Sequence, residues 1–272
     1  LFGLKISFKQ VRTVVTALTS GILGALFYAC VTTPVTDRKQ LNFIPDSQMN
    51  VMGAQAFEEI KQKEKVSKDP KLNEMILRIG KRIANASGAG YDWKFIVIDA
   101  PKTVNAFCLP GGKVAFYTGI MPIAENEAAI AAIMGHEVAH ATARHGAERM
   151  SQVLAVQTGL VALDATMLQN NKYRGPLMAA LGLGSQFGVL MPFGRMHESE
   201  ADKIGLQYMA KAGYDPAQAP ELWKRMAKAG GRVPEFMSTH PDPGRREADL
   251  RSQIPSVMSL YEKSEKQPSK SI

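Results

Sequence analysis

Two short strings in this 272-residue chain are able to do chemistry: His136-Glu137-Val138-Ala139-His140 and, downstream, Glu198-Ser199-Glu200-Ala201-Asp202. Residues four apart on an α-helix lie on one face, one above the other. His136 and His140 can therefore aim two imidazoles at one metal ion, with Glu137 beside them on the open side. A catalytic zinc takes three protein ligands and keeps a position for water, whose pKa it lowers to about 7. Two histidines leave that set one short, and Glu198, in a second helical stretch, supplies the third. Asp202 follows one turn later on the same face, where it can orient a ligand histidine from behind. Glu200 is left outside the site.

By composition alone, an HExxH string arises by chance in roughly one per cent of chains this long, and an amphipathic helix with two solvated histidines would look the same. The surroundings favour a metal. The run Glu127 to Gly135 is rich in strong helix formers, with Asn126 as a cap. Histidines emerging from so apolar a helix are buried, and buried imidazoles need partners.

Three further stretches carry a resemblance. They are Val104-Asn105-Ala106-Phe107-Cys108-Leu109-Pro110-Gly111-Gly112, Arg195-Met196-His197-Glu198-Ser199-Glu200-Ala201-Asp202, and Ser238-Thr239-His240-Pro241 with Arg246. Together with the HExxH string they resemble metallopeptidase family 48, which includes HtpX, the CAAX prenyl proteases, the mitochondrial Oma-type proteases and the periplasmic BepA-type proteases. The likeness covers roughly residues 35 to 255. It implies an α+β, mostly α gluzincin-type domain with a small β-sheet and the HExxH helix. It also implies one Zn2+ per chain held by His136, His140 and Glu198, with Glu137 as general base. Asp202 is then the partner of a ligand histidine, most naturally His136. His240 either stabilises the oxyanion or approaches the zinc, with Arg246 near it. Asn105, Ala106 and Phe107 are the edge against which a substrate peptide pairs by strand addition.

Periodicity places the elements that must position these residues. Helices are expected over 46–64 and from Pro70 to about Ser87. Strands are expected at Trp93–Ile98, Asn105–Leu109 and Lys113–Tyr117, turning at Pro110-Gly111-Gly112. The metal helix follows over roughly 125–151. An apolar stretch over 152–194 is read as core helix or as a cover over the cleft, and helices over Glu198–Lys211 and Pro216–Ala229 complete the domain. His145 is expected at the surface or in a cap, and His197, about 100° from Glu198 around its helix, is not a ligand.

At 45% hydrophobic and 21% charged, the composition is that of a globular protein with one large domain. The net charge of +8 comes partly from Lys5, Lys9 and Arg12, and the other basic residues are scattered with no aromatic-interleaved stripe. A nucleic-acid partner is not expected. Residues 1–30 read as a lipoprotein-type signal peptide or an N-terminal membrane anchor. A positive start and an apolar run end at Ala29-Cys30, with Cys30 the lipidation site. Residues 31–45 read as a tether, 46–262 as the metallopeptidase domain and 263–272 as a disordered tail. Lipidation of Cys30 leaves Cys108 alone, read as an inert buried thiol. The resemblance implies a zinc metalloendopeptidase of the bacterial envelope, membrane-attached on the periplasmic side, acting on unfolded or misfolded polypeptides. The alternative is a chaperone-like assembly factor whose peptidase site is latched.

Overall fold

The computed structural model describes residues 30–164, 191–229 and 243–272, with Gly175, Met178, Ala179, Ser238 and His240 between them. A hairpin of β1 (Cys30–Thr32) and β2 (Lys39–Leu41) leads into helices α1 (Asp46–Lys63) and α2 (Pro70–Ser87). Strands β3 (Lys94–Ile98), β4 (Ala106–Leu109) and β5 (Lys113–Tyr117) follow. The short α3 (Met121–Ala124) precedes α4 (Glu127–Thr142), α5 (His145–Leu163), α6 (Met191–Lys211), α7 (Gln218–Ala229) and α8 (Pro243–Lys263). The molecule is mostly helical with small sheets, the class the resemblance implies.

Local chemistry sets the element ends. Asp69 accepts hydrogen bonds from the backbone of Lys71 and Leu72, Pro70 opens α2, and Gly88 closes it in the left-handed region. Asn126 caps α4 by accepting from the Ala129 N–H. The three-stranded sheet has the order β3-β5-β4, with β3 parallel and β4 antiparallel to β5. Gly111 and Gly112 take positive φ in the turn between β4 and β5, and a Cβ on Gly112 would strike the Trp93 ring. Among the described residues β4 pairs on one side only, as an edge strand.

Helix α4 is the axis of the domain. Every residue from Glu127 to Ala139 is buried, as expected of a helix that is apolar all round. Helices α2, α6 and α7 and strand β4 pack around it. The approach of α4 to α6 is set by two glycines. A Cβ on Gly135 would lie 2.7 Å from the Gly205 carbonyl oxygen, and one on Gly205 would lie 2.7 Å from the His136 nitrogen. Backbone meets backbone there, which brings the histidine face of one helix onto the carboxylate face of the other.

Four expectations change. The metal helix does not run on to 151. Arg144 adopts φ 59°, in the left-handed region, its guanidinium bonded to Asp46, and a new helix starts at His145. Residues 31–45 are no free tether, because the β1–β2 hairpin is bonded into the domain: Gln40 Nε2 donates to the Ala143 carbonyl at 2.9 Å. Nor is the 263–272 tail disordered. Gln267 bonds Gly213, and Lys270 and Ile272 bond Glu127 and Glu125 at the start of α4, so backbone pairing holds a polar segment that sequence reads as loose. The helix expected from Pro216 begins at Gln218. The leader 1–29 lies outside the described residues, as does residues 165–190 of the expected cover apart from Gly175, Met178 and Ala179. Among the described residues no helix is long and apolar enough to cross a membrane.

Candidate metal centre

The 3.6-residue repeat of α4 presents His136 and His140 together towards α6, and α6 returns Glu198. His136 Nε2 lies 3.0 Å from His140 Nε2 and 3.3 Å from Glu198 Oε2, and His140 Nε2 lies 3.2 Å from Glu198 Oε1. His240 joins them from the segment before α8, its Nδ1 3.1 Å from His136 Nε2 and 2.9 Å from Glu198 Oε2. All four donor groups lie within 4.8 Å of one another. A tetrahedral ion with bonds of about 2.0–2.1 Å separates its ligand atoms by roughly 3.3 Å, close to the spacing found. The donor chemistry points the same way. Three imidazole nitrogens and a carboxylate facing inward cannot all be satisfied by hydrogen bonds to one another, whereas a cation satisfies them together. These residues fit a metal.

The surroundings fix each ligand. His136 Nδ1 lies 2.9 Å from Asp202 Oδ1 and 2.9 Å from Arg246 Nη2, which holds the ring with its Nε2 towards the site. Arg246, on α8, holds Asp202 through its Nε at 2.7 Å and reaches Glu198 Oε2 with Nη1 at 3.0 Å. Its guanidinium lies 3.5 Å from the centre of the Trp223 ring, which fixes the plane of the fork. Burial works to raise the pKa of Glu198, but His140, His136 and His240 outweigh it and hold the carboxylate far below its ordinary value. Asp202 is likewise held low, burial being overcome by Arg246 and His136.

Glu137 is buried beside this set. Burial raises its pKa to about 7 against the pull of His136, with the charge of Glu198 adding to the rise. Its Oε1 has no hydrogen-bond partner among the described residues, and His240 Nε2 stands 3.4 Å away. A carboxyl group with one oxygen open, poised near neutrality next to a cation site, is equipped to take a proton from water.

The residues read as the edge, Asn105 to Phe107, lie at the start of β4. Asn105 precedes β4; its carbonyl accepts from the Tyr117 N–H, and its side chain accepts from the Ala106 N–H at 2.9 Å. By strand alternation, Ala106 and Cys108 then turn their backbone groups to the unpaired edge. The Ala106 N–H is already taken and the Cys108 N–H adjoins the Glu137 carboxylate, so the edge offers carbonyl oxygens. Ala106 is buried, and Phe107 rests against Tyr117. A cavity of about 60 Å³ opens beside His140, lined among others by Met49, Tyr91, Cys108 and Arg144. Burial, with the charge of Glu137 adding to it, pushes the Cys108 thiol well above its ordinary pKa.

A model of peptidase family M48 matches residues 67–254, a span that takes in both strings, His240 and Arg246. The chain belongs to peptidase family M48. It is 36% identical over 239 residues to the mitochondrial metalloendopeptidase OMA1 of Schizosaccharomyces pombe, covering 85% of this chain and 68% of the relative. To OMA1 of Saccharomyces cerevisiae it is 36% identical over 194 residues, 65% of this chain and 51% of that one. To the beta-barrel assembly-enhancing protease of Escherichia coli K12 it is 29% identical over 251 residues, 89% and 51% of the two chains. The chain thus spans about two thirds of the first relative and about half of the other two.

His145 is the main correction at the site of this M48 chain. It is buried, not at the surface, because the break at Arg144 swings it back beneath the metal helix. Its Nδ1 lies 2.9 Å from His140 Nδ1 and its Nε2 3.1 Å from Glu200 Oε2. Burial drives its pKa down to about 3 against the hydrogen bond to Glu200, so the ring is neutral. Glu200, set outside the site by sequence, is buried behind it, and His197 bonds Glu148 at 2.9 Å. The i, i+3 spacings put His145 with Glu148 and His197 with Glu200 on one face of each helix, but the bonds run between the helices, His145 to Glu200 and His197 to Glu148, and no local spacing signals those.

Proposed function

We propose that the chain is a zinc-dependent endopeptidase that cleaves unfolded or misfolded polypeptides at the cell envelope, with His136, His140 and Glu198 as the zinc ligands. The observation that carries the reading is the four-donor cluster with the open oxygen of Glu137 beside it. When bound, zinc supplies Lewis acidity at the scissile carbonyl and lowers the pKa of water to about 7. Glu137 accepts the proton of the attacking water and returns it to the leaving amine. An extended peptide pairs with the open edge of β4, giving its N–H groups to the carbonyls of Ala106 and Cys108, and the cavity beside His140 receives one of its side chains. Such pairing requires an extended chain, which selects unfolded substrates. Lipidation of Cys30 fits the leader, and because β1 begins at that residue the lipid would seat the domain directly on the membrane. The name of the Escherichia coli relative agrees with an envelope role.

The test measures zinc by mass spectrometry and cleavage of unfolded casein before and after chelation. About one zinc per chain, with activity lost on chelation and regained on zinc addition, is the expected result. A chain that binds no zinc, or cleaves equally without it, overturns the proposal. Mass spectrometry of the mature N-terminus in bacterial cells tests the anchor, since residues 1–29 still attached would exclude lipidation of Cys30.

One observation favours a second reading, the latched site. His240 Nδ1 occupies the fourth corner of the donor set instead of standing off it. His240→Ala separates the roles. An oxyanion donor lost should cost about 10²–10³-fold in rate, whereas a latch removed should raise the rate.

A further inference from the structure

Each histidine of the HExxH string has its second nitrogen occupied, but by different means. His136 Nδ1 lies directly against a carboxylate and its arginine, 2.9 Å from Asp202 Oδ1 and 2.9 Å from Arg246 Nη2. His140 bonds a second histidine, and that histidine bonds a carboxylate, Glu200. With His140 Nε2 turned to the metal, its Nδ1–H donates to His145 Nδ1, and His145 Nε2–H donates to Glu200 Oε2. His145 cannot rotate, since both nitrogens are engaged and its ring stacks on His197 with centroids 4.4 Å apart and planes 13° from parallel. Glu200 is itself fixed by the N-terminal hairpin. Thr33 Oγ1 donates to its Oε1 at 2.8 Å, Thr36 donates to the same oxygen, and Arg38 Nε donates to Oε2 at 2.7 Å. The other end of the Arg38 fork grips Glu148 at 2.6 and 2.9 Å, and Glu148 accepts from His197. No group in this network lacks a reason to point where it does.

We infer that His145 and Glu200 are positioning residues for His140, and that the hairpin of residues 30–41 belongs to the metal site because Thr33, Thr36 and Arg38 hold Glu200. The inference rests on the zinc reading above and adds a second orienting chain to the one through Asp202. The chain through His145 ties the ligand to the segment that joins the domain to its leader.

The experiment measures zinc affinity by competition with a chromogenic chelator, and the visible absorption of the cobalt-substituted protein, in the full chain. His145→Phe keeps the ring stacked on His197 and removes both nitrogens. It should weaken zinc binding by about 10–100-fold, the usual loss for such a partner, and shift the cobalt bands. His145→Asn restores an acceptor where Nδ1 stood and should recover most of the affinity. Arg38→Met should weaken binding in the same direction by a smaller factor. Wild-type affinity and cobalt bands in His145→Phe overturn the inference, and so does an equal loss in the Phe and Asn variants, which would mean packing alone. Should His145→Phe fail to fold, Glu200→Gln decides: weaker zinc binding with shifted bands supports the relay, and unchanged values reject it. A wild-type chain that takes up no zinc would instead sink the metal reading on which this one stands.

Discussion

Two histidine–carboxylate clusters lie side by side along α6, one formed with α4 and the other with α5, built from the same residue types, and they are finished in different ways. In the metal centre, His136, His140, His240 and Glu198 converge on one point, and Arg246 reaches Glu198 Oε2 and the His136 ring from one side of it. In the flanking cluster, His145 and His197 are shared out between Glu200 and Glu148, and Arg38 lies between the two carboxylates as their cation. The difference shows what distinguishes a site from a scaffold. Convergent donors left needing a positive charge can bind one, whereas donors already matched to a guanidinium fork are rigid and closed.

The sharpest way to break this contrast is Glu198→Ala against Glu148→Ala. The first should abolish stoichiometric zinc, measured by mass spectrometry, while the second keeps zinc near one per chain and lowers the melting temperature. Equal zinc loss in both would erase the distinction. Next in size, Glu137→Gln should keep zinc and lower peptide cleavage by about 10²–10⁴-fold, the share of a general base. Asp202→Asn should reduce zinc affinity or turnover by about 10–100-fold with the fold intact, and wild-type values would remove Asp202 from the site. A smaller effect is expected where the two helices meet. Gly205→Ala forces a Cβ into the α4 backbone and should destabilise the chain by about 1–3 kcal/mol in denaturant unfolding.

The smallest effect concerns pH and belongs to the flanking cluster. Burial works to raise the pKa of Glu148, but hydrogen bonds from His197 and Arg38 bring it down from 4.5 to about 2. A carboxylate held low in the folded state contributes stability that is full above its ordinary pKa and is lost as pH falls through the folded value. Melting temperature should therefore fall between about pH 4.5 and 2, and Glu148→Gln should flatten that part of the curve. A variant that tracks the wild type throughout would show that Glu148 gains nothing from its partners.

The pairs His136 with His140 and Glu198 with Asp202 were each legible in sequence because helical spacing alone puts each pair on one face of its own helix, whatever that helix packs against. The strands and their turn were legible too, since Pro110-Gly111-Gly112 and the alternation around it act locally. The limits of the metal helix were misjudged. The sequence His-Ala-Thr-Ala-Arg-His continues a helical pattern, and only the Arg144 pairing with Asp46, far away in the chain, marks the break. His145 was therefore assigned to the wrong environment, and Glu200 with it.

Local periodicity thus determined which side chains share a face and which elements carry them, because those facts depend on spacing within a single helix or strand. Tertiary structure alone decided the rest. It set Gly135 against Gly205 so that two helices meet backbone to backbone, brought His240 to the fourth corner, and folded the 30–41 hairpin and the 263–272 tail onto the domain. Each of these depends on contacts between residues distant in sequence, whose free energy comes from packing and charge pairing in the folded chain and leaves no periodic trace in the order of the amino acids.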